Sequence, residues 1–316
     1  MFSGRESPGA PPAEPPTEDA DIARIVTRLS SEYVLRAFQL RIEQHGDIRT
    51  GLVAQAINTA NTAHLDARTP EGRRAAGPNG VIPDEMRRPI GLASLAESTG
   101  LPIENIREIV QRLIDRGACI HVDGGVMMPS AAVESPETSA AVLANLGYAR
   151  RLARDLESVG LTTPPAKDHG AVEDLVVARL VARRCGAYLV RSIALLAKTY
   201  GDFRTGILVQ TIIVANTAYL DVQAGEGRRY AGLHQNLPDK LRRPISVARL
   251  AEALDSPLET KRRHVQGLID AGLCVLAQGG LIVPGAVLET PAAACAMLTN
   301  VGYVRRFVHD LRLIGL

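Results

Sequence analysis

Residues 242–284 read RRPISVARLAEALDSPLETKRRHVQGLIDAGLCVLAQGGLIVP, and the folding of this stretch decides the architecture of the chain. Ser246 stands where it can cap a helix whose apolar positions, Val247, Leu250, Ala251 and Leu254, recur every three or four residues. Asp255-Ser256-Pro257 then restarts the chain: Ser256 lies three residues before Glu259, the spacing of a capping box. Pro257 suits a first helical position, where its missing N–H would have no partner anyway. Leu258, Val265, Leu268 and Ile269 form the apolar stripe of a second helix that Gly272 ends. Two β-rich runs, CVLA and LIVP, follow, joined by Gln278-Gly279-Gly280 as a hairpin turn that tolerates positive φ.

Helix, tight turn, helix and hairpin follow one another as in a winged helix-turn-helix. SVARLAEAL, ETKRRHVQGLIDAGL and the Gly-Gly turn resemble the DNA-reading module of bacterial regulators of the IclR, MarR and GntR kind. The resemblance implies sequence-specific binding of double-stranded DNA, with the second helix in a major groove and the hairpin along the backbone. It places Thr260, Arg262 and Arg263 at positions by which such regulators contact bases and phosphates. Lys261 departs from the pattern, standing where these helices carry a Val or Ile that faces the core. Its stem can lie along apolar surface while the ammonium reaches water.

A shift of 155 residues lays one half of the chain on the other without a gap, and 56 of the 116 positions from Gly46 to Leu161 are identical to their counterparts. GDIRTGLVAQAINTANTAHLD answers GDFRTGILVQTIIVANTAYLD, and RRPI recurs at Arg87 and Arg242. The expected architecture is therefore mainly α: two tandem helical units, each containing a winged helix-turn-helix with a small β-hairpin wing. The boundaries read as a Pro-rich acidic tail over 1–18, a first unit over 19–161, a linker over 162–170 and a second unit over 171–316. The tail is too poor in apolar residues to order itself. Helix is expected over Asp21–Gln44 and Thr50–Asp66, loop from Thr69 to Pro83, and a closing helix after Pro136.

Charged residues at 22% and hydrophobic ones at 46% place the chain among globular proteins rather than disordered ones. No apolar run reaches membrane-spanning length and no signal-peptide pattern opens the chain. No partner role for a membrane follows, and a cytoplasmic location is expected. Cys119, Cys185, Cys274 and Cys295 form no C-x-x-C pair, and no His stands at metal spacing. Cys119 and Cys274 occupy equivalent places after the second helix, where a buried free thiol is expected. No nucleophile elbow, P-loop or H-E-x-x-H motif appears, so the chain does not read as an enzyme and no cofactor or metal is expected.

The net charge of +2 conceals an asymmetry. From Gly170 onward there are 18 Lys and Arg against 12 Asp and Glu, whereas residues 1–169 hold 18 against 22. Phosphate binding draws on positive charge that releases counterions, so the second unit is the better match for DNA. The expected contacts there are Thr260, Lys261, Arg262, Arg263, His264 and Gln266 on the second helix. Arg249 on the first helix, Arg242 and Arg243 before it, and Gln278 at the wing tip complete that surface. Unit one offers Asn105 and Arg107, interleaved with Glu104 and Glu108.

Two further repeated features have competing readings. Arg228, Arg229, Arg242 and Arg243 either extend a phosphate-binding stripe or pair with acids to tie the loop to the helices, as Arg73 could with Asp66. The ANTAHLD and ANTAYLD segments put polar groups in an apolar helix, either as a hydrogen-bond network that fixes helix packing or as a ligand pocket. At the level of the whole chain the first reading is a DNA-binding transcription regulator, either a homodimer on a palindrome, favoured because acids in unit one would repel phosphate, or a monomer using both helices on an asymmetric site. The rival is a winged-helix scaffold binding protein partners, for instance a phage or polymerase component of the transcription machinery.

Overall fold

Two aspartates set the start of equivalent helices in the two copies. Asp47 accepts from the N–H groups of Arg49 and Thr50 at 2.9 and 3.0 Å, and Asp202 from those of Arg204 and Thr205 at 2.8 and 3.1 Å, satisfying donors that have no partner inside the helix. The computed structural model describes residues 17–65, 72, 75, 77–161, 174–220, 225–253 and 258–316. It is mainly helical, with two small antiparallel hairpins.

In copy one, α1 (Thr17–His45) and α2 (Ile48–Thr62) lead to a helix pair, α3 (Leu92–Thr99) and α4 (Ile103–Asp115). A hairpin of β1 (Ile120–Val122) and β2 (Gly125–Met127) follows, then a short α5 (Ser130–Glu134) and the closing α6 (Pro136–Ser158). Copy two repeats the order with α7 (Asp174–Tyr200), α8 (Phe203–Thr217), a short α9 (Gly225–Arg229), α10 (Val247–Ala253) and α11 (Leu258–Asp270). It ends with β3 (Val275–Ala277), β4 (Gly280–Ile282), α12 (Gly285–Leu288) and α13 (Pro291–Arg312).

Several boundaries differ from the sequence reading. The first helix starts at Thr17, inside the segment expected as tail; Glu18 and Asp19 sit in its first turn, where acids complement the helix dipole. Asp19 is further held by Arg305 of α13, whose Nη2 and Nε approach its Oδ1 at 2.6 and 2.8 Å. The rest of the expected tail, the capping box at Ser256 and the whole linker lie outside the described residues, as does the Arg73–Asp66 pair. The α2 helix begins at Ile48 rather than Thr50 because Asp47 caps it. The EGRR segment of copy two contributes to α9 rather than to a loop.

The copies do not fold side by side: their buried apolar side chains form one continuous core. The start of α1 crosses to copy two, where Arg24 and Ile25 donate their N–H groups to Ala231 O at 2.9 and 3.1 Å and Leu233 N–H returns to Ala20 O at 2.7 Å. The start of α7 crosses the other way, and Arg179 Nη1 donates to Asn79 O at 2.8 Å. Tyr33 of α1, Tyr188 of α7 and Phe307 of α13 meet at the centre, with centroids 4.9 to 6.3 Å apart. Tyr33 donates to Asn145 Oδ1 and Tyr188 to Asn300 Oδ1, both at 3.1 Å. The shift of 155 residues seen in sequence is thus a pseudo-two-fold relation in space.

Each hairpin is anchored to its copy by one buried asparagine. Asn61 Nδ2 donates to Arg88 O and Val126 O at 2.7 and 3.2 Å, while its Oδ1 accepts from Met128 N–H at 2.9 Å. Asn216 makes the same three bonds to Arg243 O, Leu281 O and Val283 N–H, at 2.8, 3.1 and 3.0 Å. Both are fully buried, so every polar atom they bring inside is satisfied. The asparagine of the repeated ANTA segment therefore acts as a packing device, while Thr62 and Thr217 line a cavity in each copy.

Candidate nucleic-acid interface

Ser246 begins the exposed module of copy two: its Oγ accepts from Arg249 N–H at 3.2 Å, starting α10 as the sequence suggested. Leu250 and Ala251 turn inward. On α11, Val265 and Leu268 are buried, and Arg262, Arg263 and Gln266 are exposed, as the helical period dictates. His264 is half-buried. Thr260 and Lys261 lie on the first turn of α11, but their side chains are outside the described residues.

Arg249, Arg243 and Gln278 are exposed as well. The Arg243 guanidinium lies over the Tyr219 ring, 4.2 Å from its centroid, a cation–π contact that orients the charge without neutralising it. At the base of the copy-two hairpin Gly280 has φ 145°, and Ile245 pairs with Leu281 as a bridge alongside it. Gln278 and Gly279 form the tip.

Arg242 is a correction. It is 5% exposed, and its guanidinium donates to Asn236 Oδ1 at 2.8 Å, Leu237 O at 2.9 Å and Asp239 Oδ1 at 3.1 Å. Arg87, its counterpart, is buried in the same way and donates to Ile82 O at 3.0 Å. These arginines hold the loop together and do not face solvent. Two adjacent arginines look alike in sequence, but the chain direction sends one inward and the next outward. Arg228 is tied across the copies, donating to Ser158 O at 3.0 Å, and Arg229 lies 5.9 Å from the Tyr230 ring centre.

In copy one, Asn105 is half-buried and Arg107 is exposed between the exposed Glu104 and Glu108. Arg112 donates to Thr50 Oγ1 at 3.2 Å and Arg116 to His45 O at 2.9 Å, so the exposed side of α4 is tied back to α1 and α2. Gly267 and Ala271 stand at these places in copy two, and a groove opens there between the start of α8 and α11, lined by Arg204, Arg263 and His264.

Arg204 was missed in the sequence reading. Burial and the nearby Arg49 of the other copy lower its pKa from the ordinary arginine value, against the opposing pull of Asp202 and Asp47, so the starts of α2 and α8 lie close to one another. The signal was the repeated GDIRTG and GDFRTG, each an aspartate cap followed by an outward arginine.

No His, Cys, Asp or Glu group suited to a metal occurs among the described residues, and no described helix is long and apolar enough to cross a membrane. No protein-family model, curated protein or solved structure matches the chain.

Proposed function

We propose that this chain is a sequence-specific DNA-binding regulator built as two winged helix-turn-helix modules on one intertwined helical core. The module of copy two is the principal reader. The single observation that carries this reading is the exposed side of α11, where Arg262, Arg263 and Gln266 are presented together. Arg249, Arg243 and Gln278 lie outward on the neighbouring α10, pre-α10 and wing segments, and Arg204 shares the groove with Arg263. Arg262 and Arg263 are suited to guanine edges and phosphates, a good bidentate base contact being worth about 1–3 kcal/mol of discrimination.

The intertwined core also favours a particular assembly. A homodimer brings two reading helices to one duplex; here duplication brings two modules together inside one chain. Their outward residues differ, with Asn105 against Thr260 and Glu108 against Arg263, so a one-chain complex reads an asymmetric site with one strong half. The homodimer expected from sequence is the second reading, supported by the acids on α4, which oppose phosphate and suit a partner-facing role.

The test is selection of bound duplexes from a random pool by the intact protein, followed by anisotropy titration at several salt concentrations. Arg262→Ala with Arg263→Ala is expected to abolish specific binding and flatten the salt dependence, by about 0.9 in log–log slope per lost phosphate contact. Asn105→Ala with Arg107→Ala should cost less. Light scattering on the complex gives one chain per site for the asymmetric reading and two for the homodimer. Failure to enrich any sequence would remove the DNA reading and leave the protein-binding scaffold.

A further inference from the structure

Each copy contains a partly open cavity, and the two cavities are related by the same pseudo-two-fold. The copy-two cavity has a volume of about 120 Å³ and that of copy one about 70 Å³. Arginines stand at equivalent places in both: Arg179 and Arg87 line the cavity of copy one, Arg24 and Arg242 that of copy two. In each case one arginine comes from the long helix of the other copy, so the cavity exists only because the copies intertwine.

The walls have diverged. Where copy two has Leu196, Tyr200 and Ile213, copy one has Arg41, His45 and Asn58. The copy-one cavity is therefore the more cationic, and two of its arginines have donors that meet no carboxylate. Arg41 bonds to the neutral Gln44 at 2.8 Å, and Arg179 to Asn79 O and Ser139 Oγ at 2.8 and 3.3 Å. Neither meets a carboxylate among the described residues, and the Nε of each is buried with no hydrogen-bond partner. Arg179 is 8% exposed and Arg87 6%; Arg87 is ion-paired with Asp84 at 3.7 Å, whose carboxylate is half-exposed. Burying guanidiniums costs several kcal/mol per ion unless an opposite charge accompanies them.

We propose that the copy-one cavity is a binding site for one small oxyanion of phosphate or sulfate size, held by Arg41, Arg179 and Arg87. A cavity needs about 10–15 Å³ of such volume per water, so the 70 Å³ here takes roughly five heavy atoms, the number in a tetrahedral oxyanion. Planar guanidinium donors match such oxygens in charge-assisted pairs. The site does not depend on the DNA reading: none of its arginines belongs to the proposed DNA surface.

The experiment uses the full chain with inorganic phosphate and with sulfate, against chloride at matched ionic strength. Calorimetric titration is expected to give one anion per chain, because copy two lacks the Arg41 and His45 equivalents. Melting temperature should rise with phosphate beyond the chloride control, since a ligand that binds only the folded state stabilises it. Arg41→Leu with His45→Tyr imports the side chains copy two carries at these places and should weaken binding at least tenfold. Arg262→Ala with Arg263→Ala should bind as the parent does. Absence of an anion-specific heat or melting shift in the parent protein overturns the proposal, as does a stoichiometry of two. Retention of full affinity by the Arg41→Leu, His45→Tyr variant overturns it too. If that variant does not fold, Arg179→Gln serves in its place with the same two outcomes.

Discussion

The amide of Asn145 donates to Cys185 Sγ at 3.2 Å, joining the closing helix of the first copy to the long helix of the second. Its mirror is Asn300, whose Nδ2 donates to Ser30 Oγ at 3.0 Å. Each asparagine also accepts from a buried tyrosine. Asn145→Ala leaves the Tyr33 hydroxyl without an acceptor in the middle of the core, which costs about 1–3 kcal/mol. Cys185→Ser is expected to be nearly neutral, because serine already does this work at the mirror position. Urea denaturation should give one cooperative transition for both variants, since the core is shared; two separated transitions would mean independent copies.

Gly280 shows how closely the copy-two hairpin is fitted. A Cβ there would fall 2.3 Å from Ile245 O, whereas one at Gly279 would meet nothing within 4 Å. Gly280→Ala must push the hairpin off its bridging segment and is expected to cost about 3 kcal/mol, against about 1 kcal/mol for the left-handed strain alone at Gly279→Ala. Equal losses for the two variants, measured by thermal denaturation, would contradict this account.

His45 should make stability depend on pH. Burial first, then the guanidiniums of Arg41 and Arg116, push its pKa down from 6.5 to about 4. The unfolded chain therefore binds this proton more tightly than the folded one. Stability is complete above about pH 6.5 and falls as pH drops towards about 4, by up to about 3 kcal/mol. His45→Gln should flatten the melting-temperature profile over this window. Asp47 and Asp202 act lower. Burial raises their pKa values, but hydrogen bonds from Thr50 and Thr205 and from the helix N–H groups more than reverse this. Their contribution is lost only as pH falls below the ordinary carboxylate range. A slope between pH 6.5 and 4 that survives His45→Gln would place its origin elsewhere.

The thiols should divide sharply. Burial pushes Cys119 up to about 12 and Cys185 and Cys274 to about 11, while Cys295 is exposed. Because the thiolate is the reactive form, a disulfide reagent at pH 8 is expected to titrate one thiol per native chain and all four after unfolding. Fast reaction of a second native thiol would show that the core opens.

Much of this architecture was legible before any coordinates. The repeat, the helix pair with its hairpin, the Ser246 cap, the glycine turn and the buried Cys119 and Cys274 follow from local rules: period, capping and backbone freedom act over a few residues. The unequal charge of α4 and α11 is also a property of the sequence alone.

The tertiary structure decided what those local rules leave open. Arg242 turns inward and Arg243 outward, though both read simply as arginine, because burial depends on the direction of the chain against its neighbours. The exchange of α1 and α7 between copies rests on contacts such as Arg305 with Asp19, 286 residues apart. Each half carries nearly the same apolar pattern, so sequence periodicity cannot distinguish packing within a copy from packing across copies. The paired cavities arise from that exchange, and arginines from distant segments converge on them only after it. The sequence by itself determined the elements and their charges; the crossing of the two copies decided which of those charges face solvent and which line a cavity, because burial is set by contacts between segments far apart in the chain.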